Sequence, residues 1–197
     1  MKNPSDYIFA AAILVFWFFV PQSVSAQNKY ESESRLQEEL VPAKALYFID
    51  SLQTGASIRW YLEQGLQSSS IEAKFTSKRQ NHSVEFDTLG NIEDIEVEMK
   101  WSDLPPTLQD SISASLKGDC ENYKVRKVQI QYSGSPSSLI TKIKSGDLKE
   151  GCTVKYELVV KCNTFSDAVL YEFLFSDTGE QEGRSKIVFK NSSNLEY

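Results

Sequence analysis

A helical run followed by four short stretches of period-two alternation, and then the same order a second time, leaves this chain few architectures to adopt. From Arg35 the spacing is helical. Leu36, Leu40, Ala43, Leu46, Tyr47, Phe48 and Ile49 recur at helical spacing, Pro42 suits a first turn or a restart, and Gly55 suits the stop. Then the period becomes two, the signature of a strand with one apolar face. Ile58, Trp60 and Leu62 alternate with Arg59, Tyr61 and Glu63; Ile71, Ala73 and Phe75 with Glu72, Lys74 and Thr76; Val84 and Phe86 with Ser83 and Glu85. After the turn Asp87 to Asn91, the residues Ile95, Val97, Met99 and Trp101 alternate with Asp94, Glu96, Glu98 and Lys100.

Leu104-Pro105-Pro106 then restarts a helix as Val41-Pro42 did, with Gly118 in the place of Gly55. Strands follow at Tyr123 to Tyr132, Val154 to Cys162, Val169 to Phe175 and about Arg184 to Phe189, and Ser176-Asp177-Thr178-Gly179 stands where Asp87 to Gly90 stood. The expected fold class is α+β: two tandem repeats of one helix and four antiparallel strands, with the helices packed on one face of the sheet or sheets. The boundaries read as a signal peptide at 1–26, a polar leader and helix start at 27–40, a first unit at 41–102, a second at 103–190 with an insertion at 133–152, and a tail at 191–197. The insertion carries Leu139, Ile140, Ile143 and Leu148. It is read as a short helix or hairpin folded over Val159 and Leu170, or as a functional loop.

The proline-started helix, the strands, and Val84-Glu85-Phe86-Asp87-Thr88-Leu89-Gly90-Asn91-Ile92 running into an acidic strand and Leu104-Pro105 resemble the PepSY-like domain family, grouped with the β-lactamase inhibitor protein fold. The resemblance covers roughly Val41 to Phe189 and departs at the insertion. It implies an exported bacterial protein, a concave sheet with helices behind it, and a binding or inhibitory role, and it brings no catalytic residues.

Compartment is read from the start of the chain. Lys2 precedes an apolar run from Ile8 to Val20, and Val24-Ser25-Ala26 offers a cleavage site after Ala26. The run has 13 residues, short of the roughly 20 a spanning helix needs, so a removed signal is preferred over a membrane anchor. No stable anchor after cleavage is expected, and the location is periplasmic or secreted. The formal charge of -6 argues against nucleic acid as a partner, because phosphate binding needs clustered Lys and Arg.

Nothing in the pattern assembles catalytic chemistry, and the protein is not expected to be an enzyme. His82 is the only histidine and reads as solvated. Cys120, Cys152 and Cys162 lack the close paired spacing of a zinc site, so no metal is expected. The acids Asp94, Glu96 and Glu98 are explained by strand alternation rather than calcium, and no glycine-rich phosphate loop supports a nucleotide cofactor. An antiparallel pairing of the strands 123–132 and 154–162 places Cys120 beside Cys162. A disulfide between them is expected in an oxidising compartment, a reduced buried pair being the alternative, with Cys152 left over.

The face opposite the helices should carry Arg59, Tyr61, Lys74, Glu85, Glu96, Lys155, Glu157, Leu170 and Glu172, with Glu72 among them. These are the candidate binding residues, on an open sheet face that meets either a protein partner or solvent. The preferred function is an exported, non-catalytic binding or inhibitory module; the alternative is an envelope structural component that assembles through a sheet edge.

Overall fold

In a computed structural model, the described residues are 27–65, 68–163 and 168–189; the expected signal at 1–26 and tail at 191–197 lie outside them. The fold is α+β. Nine strands follow chain order: β1 (Gln27–Arg35), β2 (Arg59–Gln64), β3 (Ser69–Ser77), β4 (Gln80–Asp87), β5 (Ile92–Glu98), β6 (Asn122–Ser133), β7 (Thr153–Asn163), β8 (Ala168–Ser176) and β9 (Gln181–Phe189). Each pairs antiparallel with the next, and β1 also runs parallel to β9, closing the sheet into a barrel. Among the described residues, three helices lie outside it: α1 (Ala43–Leu52), α2 (Pro106–Asp119) and α3 (Pro136–Ser145).

The apolar half of each alternation faces the helices. Against β2 to β5, α1 buries Ala45, Phe48, Ile49 and Leu52 on Trp60, Ile71, Ala73, Phe75, Val84, Phe86 and Ile95. Phe86 is the hub, edge-on to Phe48 at 5.7 Å and 6.0 Å from Trp60. Against β6 to β8, α2 buries Leu108, Ile112 and Leu116 on Val128, Leu158, Val160, Phe173 and Phe175. Full burial of one such side chain is worth about 1.5–3 kcal/mol, so these two layers supply most of the drive to fold.

Both helices start in the same way. A one-turn 3-10 helix (Glu38–Leu40 before α1, Trp101–Asp103 before α2) leads to a buried residue, Val41 or Leu104, and then to a proline cap, Pro42 or Pro105. A glycine turn presses on each helix. Gly90 (φ +80°) lies where a Cβ would come within 2.8 Å of Pro42, and Gly179 (φ +84°) where one would come within 2.8 Å of Ser111. Any other residue there meets both backbone strain and a clash.

Several expectations need correction. The polar leader is a strand, β1 (Gln27–Arg35), and α1 begins at Ala43 instead of Arg35, because Pro42 has no N–H and sets its start. Gln53 in the left-handed region ends α1 and Cys120 ends α2, so Gly55 and Gly118 are not the stops. Trp101 lies in the 3-10 turn beyond β5. The insertion forms α3, capped by Ser135 on the Ser138 N–H at 3.3 Å and ended by Gly146 (φ +85°). It packs beside α1, with Leu139 fully buried in the first core, not over Val159 and Leu170. Leaving β6 beside β5, the chain reaches the helix layer directly; Val159 and Leu170 point the other way.

Candidate functional site: the polar lining of the barrel

Alternation that sends apolar residues outward sends polar ones inward, and strand register aligns them in rows. One row runs Tyr61, Glu72, Glu85, Asp94 across β2 to β5. The next runs Arg59, Lys74, Ser83, Glu96, Gln131, Lys155 across β2 to β7. Glu157 lies opposite Gln129 and Leu174, and Glu172 opposite Ser185. All nine candidate residues therefore share one face: Arg59, Tyr61, Lys74, Glu85, Glu96, Lys155, Glu157, Leu170 and Glu172. That face is not open. It is the inside of a closed barrel, where Glu72, Ser83, Glu96 and Gln129 are buried; of the nine only Arg59 is well exposed.

Burying charge is costly unless it is neutralised or paired. Toward β1 the lining uses an ammonium. Lys74 Nζ lies 2.6 Å from Glu33 Oε2 and 2.9 Å from Glu72 Oε2, and Ser83 donates its hydroxyl to Glu72. Burial pulls the Lys74 pKa down, but Glu72 and Glu33 outweigh it and hold the pKa well above the ordinary lysine value. Lys74 Nζ also lies 5.0 Å from the Tyr61 ring centre, and the Arg35 guanidinium lies 5.2 Å from it.

Toward β6 the lining uses a proton. Glu85, Asp94 and Glu96 bring carboxylate oxygens within 4.8 Å of one another, as Glu33, Glu63 and Glu72 do. Burial, then Glu85 and Asp94, push the Glu96 carboxyl up to about 8, with Lys127 pulling it back and Glu172 adding to the rise. Gln129 donates its amide N–H to Glu96 at 2.7 Å, and Gln131 donates to Asp94 at 3.0 Å. A cavity of about 280 Å³ opens beside Glu85, Glu96, Glu157, Glu172 and Leu174, and one of about 200 Å³ beside Arg59, Lys74, Lys127 and Gln129. The lining can hold cations or protons and can pair with a charged segment; its carboxylate triads are the groups with oxygen-ligand geometry.

His82 is not solvated. It is 8 % exposed, stacked on Phe75 at 5.0 Å, with Nδ1 3.0 Å from the Gln80 carbonyl. Burial lowers its pKa, Lys78 adds to the fall, and the Gln80 carbonyl partly opposes it, so the ring is neutral near pH 7. Cys120 and Cys162 have Cα atoms 5.3 Å apart and sulfurs bonded at 1.99 Å; Cys152 is a free thiol. Cys162 lies opposite Tyr123, so the turn into β6 carries Cys120 onto the end of β7.

Gln129 and Lys127 escaped the sequence reading. A bulge between Val125 and Lys127 shifts the alternation of β6 by one and turns Lys127 inward. A second opening, a mainly apolar groove of about 400 Å³ between α1 and α3, also escaped it; Tyr47, Phe48, Ile92, Pro136 and Ile140 line it, and Tyr47 is 76 % exposed.

Among solved structures, a DUF2874 family protein from Bacteroides uniformis superposes with a TM-score of 0.51 at 16% identity, covering 74% of this chain and 89% of that one. A candidate periplasmic protein from Bacteroides eggerthii gives 0.50 at 14%, covering 74% and 88%. These likenesses establish a shared fold. A BLIP-like protein from Bacteroides fragilis gives 0.45 at 19%, covering 80% and 94%, too loose a superposition to carry an argument. No family model matches the chain, and no curated protein matches its sequence.

Proposed function

We propose that the chain is an exported, non-catalytic binding module, periplasmic or secreted after cleavage behind Ala26, whose polar sheet face recognises an extended segment of a protein partner. The observation that carries this is the Tyr61 and Lys74 corner of the lining. There the barrel already grips an extended charged segment, its own β1, by strand pairing, by the Lys74–Glu33 ion pair and by Arg35 over Tyr61. A strand added to a sheet takes its affinity from backbone hydrogen bonds and its selectivity from such side-chain contacts.

The His82 ring is taken up by stacking on Phe75 and by the Gln80 carbonyl, a packing role that supports a function without turnover. Export draws support from the apolar run at Ile8 to Val20 and from the periplasmic description of the B. eggerthii protein that shares the fold. The PepSY-like likeness, an inhibitory outcome of binding, and the description as two tandem units belong to the same reading. The matched proline starts and the glycine turns at Gly90 and Gly179 support the tandem units.

A second reading, an envelope component that assembles through a sheet edge, is favoured by one feature: no residue of β1 pairs on both sides.

The test is an affinity capture from native envelope and secreted fractions with the exported chain as bait and Tyr61→Ala/Lys74→Ala as control, each prey then purified and titrated. A prey whose affinity falls about tenfold or more in the control, a loss of about 1.4 kcal/mol, supports the recognition face. Equal affinity for both baits sinks it, and recovery of bait copies alone shifts the weight to assembly.

A further inference from the structure

We infer that β1 is an exchangeable strand, and that the seam it leaves between β2 and β9 accepts β1 of a second copy of this chain. This rests on the assembly reading and names its partner and its surface.

The seam is bridged in an uncommon way. Gln27 to Glu31 pair only with Ser185 to Phe189 of β9, and Ser32 to Arg35 pair only with Gln64 to Tyr61 of β2. An interior strand is held differently: β3 pairs with six residues of β2 on one side and eight of β4 on the other. Each β1 residue thus has ladder bonds on one edge alone. From Ser32 to Arg35 side chains add little, since all four are exposed and none enters either apolar core. What holds this half is the Glu33–Lys74 ion pair, Arg35 over Tyr61, and a 3.4 Å bond from the Ser34 hydroxyl to the Leu62 carbonyl. Segments with few buried contacts and a one-sided ladder open at the low end of the stability range.

Opening costs the rest of the molecule little. Lys74 keeps Glu72, Tyr61 keeps Lys74, and the cores under α1 and α2 are untouched. The hinge is short and defined: Leu36 hydrogen-bonds the Trp60 carbonyl and packs at the margin of the first core, and the 3-10 turn Glu38–Leu40 and Pro42 follow it. With β1 out, β2 and β9 present two unpaired edges, a template for another extended chain. An identical β1 matches that template by construction, repeating the Glu33–Lys74 and Arg35–Tyr61 contacts, which is why exchange between copies is a low-cost route to a dimer. The two forms then differ chiefly by mass action, and dimer rises with concentration.

Ser32 and Gln64 are exposed and directly opposed across β1 and β2, a spacing that a disulfide spans. In a Cys152→Ser background, the exported chain carrying Ser32→Cys and an isotopically heavy one carrying Gln64→Cys are mixed at increasing concentration, oxidised mildly and mapped by peptide mass. The expected result is a disulfide joining the two chains as the dominant crosslink, rising with concentration and exceeding either like-with-like crosslink. The Ser32→Cys/Gln64→Cys double variant controls for folding, because a crosslink within one chain at low concentration shows that β1 seats normally. If mixing gives no hetero-crosslink while the double variant closes on itself, exchange is overturned. If a dimer is then still present by native mass, edge assembly of another kind survives; if only monomer is present, the assembly reading falls as well.

Discussion

The two faces of the one sheet are built from alternate residues of the same strands, yet they do opposite things. Outward, Phe173 and Phe175 of β8 are wholly buried under α2; one residue along, Leu174 and Glu172 face a cavity. Outward, Ile95 of β5 lies in a continuous apolar core; inward, its neighbour Glu96 is almost as buried but sits among carboxylates. Burial is thus not what separates the faces. The helix-facing side gains free energy from burial, whereas the inner side must offset burial with protons, ion pairs and amides, and it is therefore the side free to be selected for recognition.

That contrast can be broken most forcefully at adjacent positions of β8. Phe173→Ala should cost about 3–5 kcal/mol in denaturant unfolding, and Leu174→Ala no more than about 1.5 kcal/mol, since a cavity already exists on its side. Comparable losses would mean that the lining is packed as a second core. Next in size, removing the disulfide with Cys120→Ser/Cys162→Ser, which frees a loop with a sequence separation of 42, should lower stability by about 2–4 kcal/mol and leave the inner face unchanged.

The inner face has a pH signature of its own. Glu96 titrates near 8 in the folded chain and at its ordinary value of 4.5 when unfolded, so between these values the folded state binds more protons. Stability should therefore fall as pH rises through that window and level off above it. Glu96→Gln should remove that slope, worth on the order of 4 kcal/mol between about pH 5 and pH 9. A slope that persists in the variant would move the proton elsewhere in the lining. His82 acts in the opposite sense: with burial holding its pKa down, stability is lost as pH falls below 6.5, and His82→Gln should blunt that acid limb. Smallest of all, Tyr47→Ser on the exposed rim of the α1–α3 groove should change stability by within about 0.5 kcal/mol.

Alternation made most of β2 to β8 readable, because each has an apolar half that must be buried, and helical spacing with Pro105 and Pro106 made α2 readable. The shared inner face followed from the same parity. What alternation does not carry is what lies beyond one strand. β1 has no apolar face, so its place comes only from the β2 and β9 edges that it meets, and with it goes the difference between an open sheet and a barrel. The bulge in β6 inverts parity without a glycine or proline to announce it. His82 looked solvated among Gln80, Asn81 and Ser83, yet it stands on the same side as Val84 and Phe86, and that side is the core. The closeness of Glu85, Asp94 and Glu96 depends on strand register, which spacing along a single chain does not specify.

The central claim, that a rigid helix-backed sheet is closed by a weakly held polar strand, is tested most directly by hydrogen exchange of the backbone amides in the exported chain. Amides of Ser32 to Arg35 should exchange more than about tenfold faster than those of Ile71 to Phe75 in β3, about 1.4 kcal/mol or more of easier opening. Equal protection in the two segments would contradict it, because β1 would then be as integral to the sheet as any interior strand.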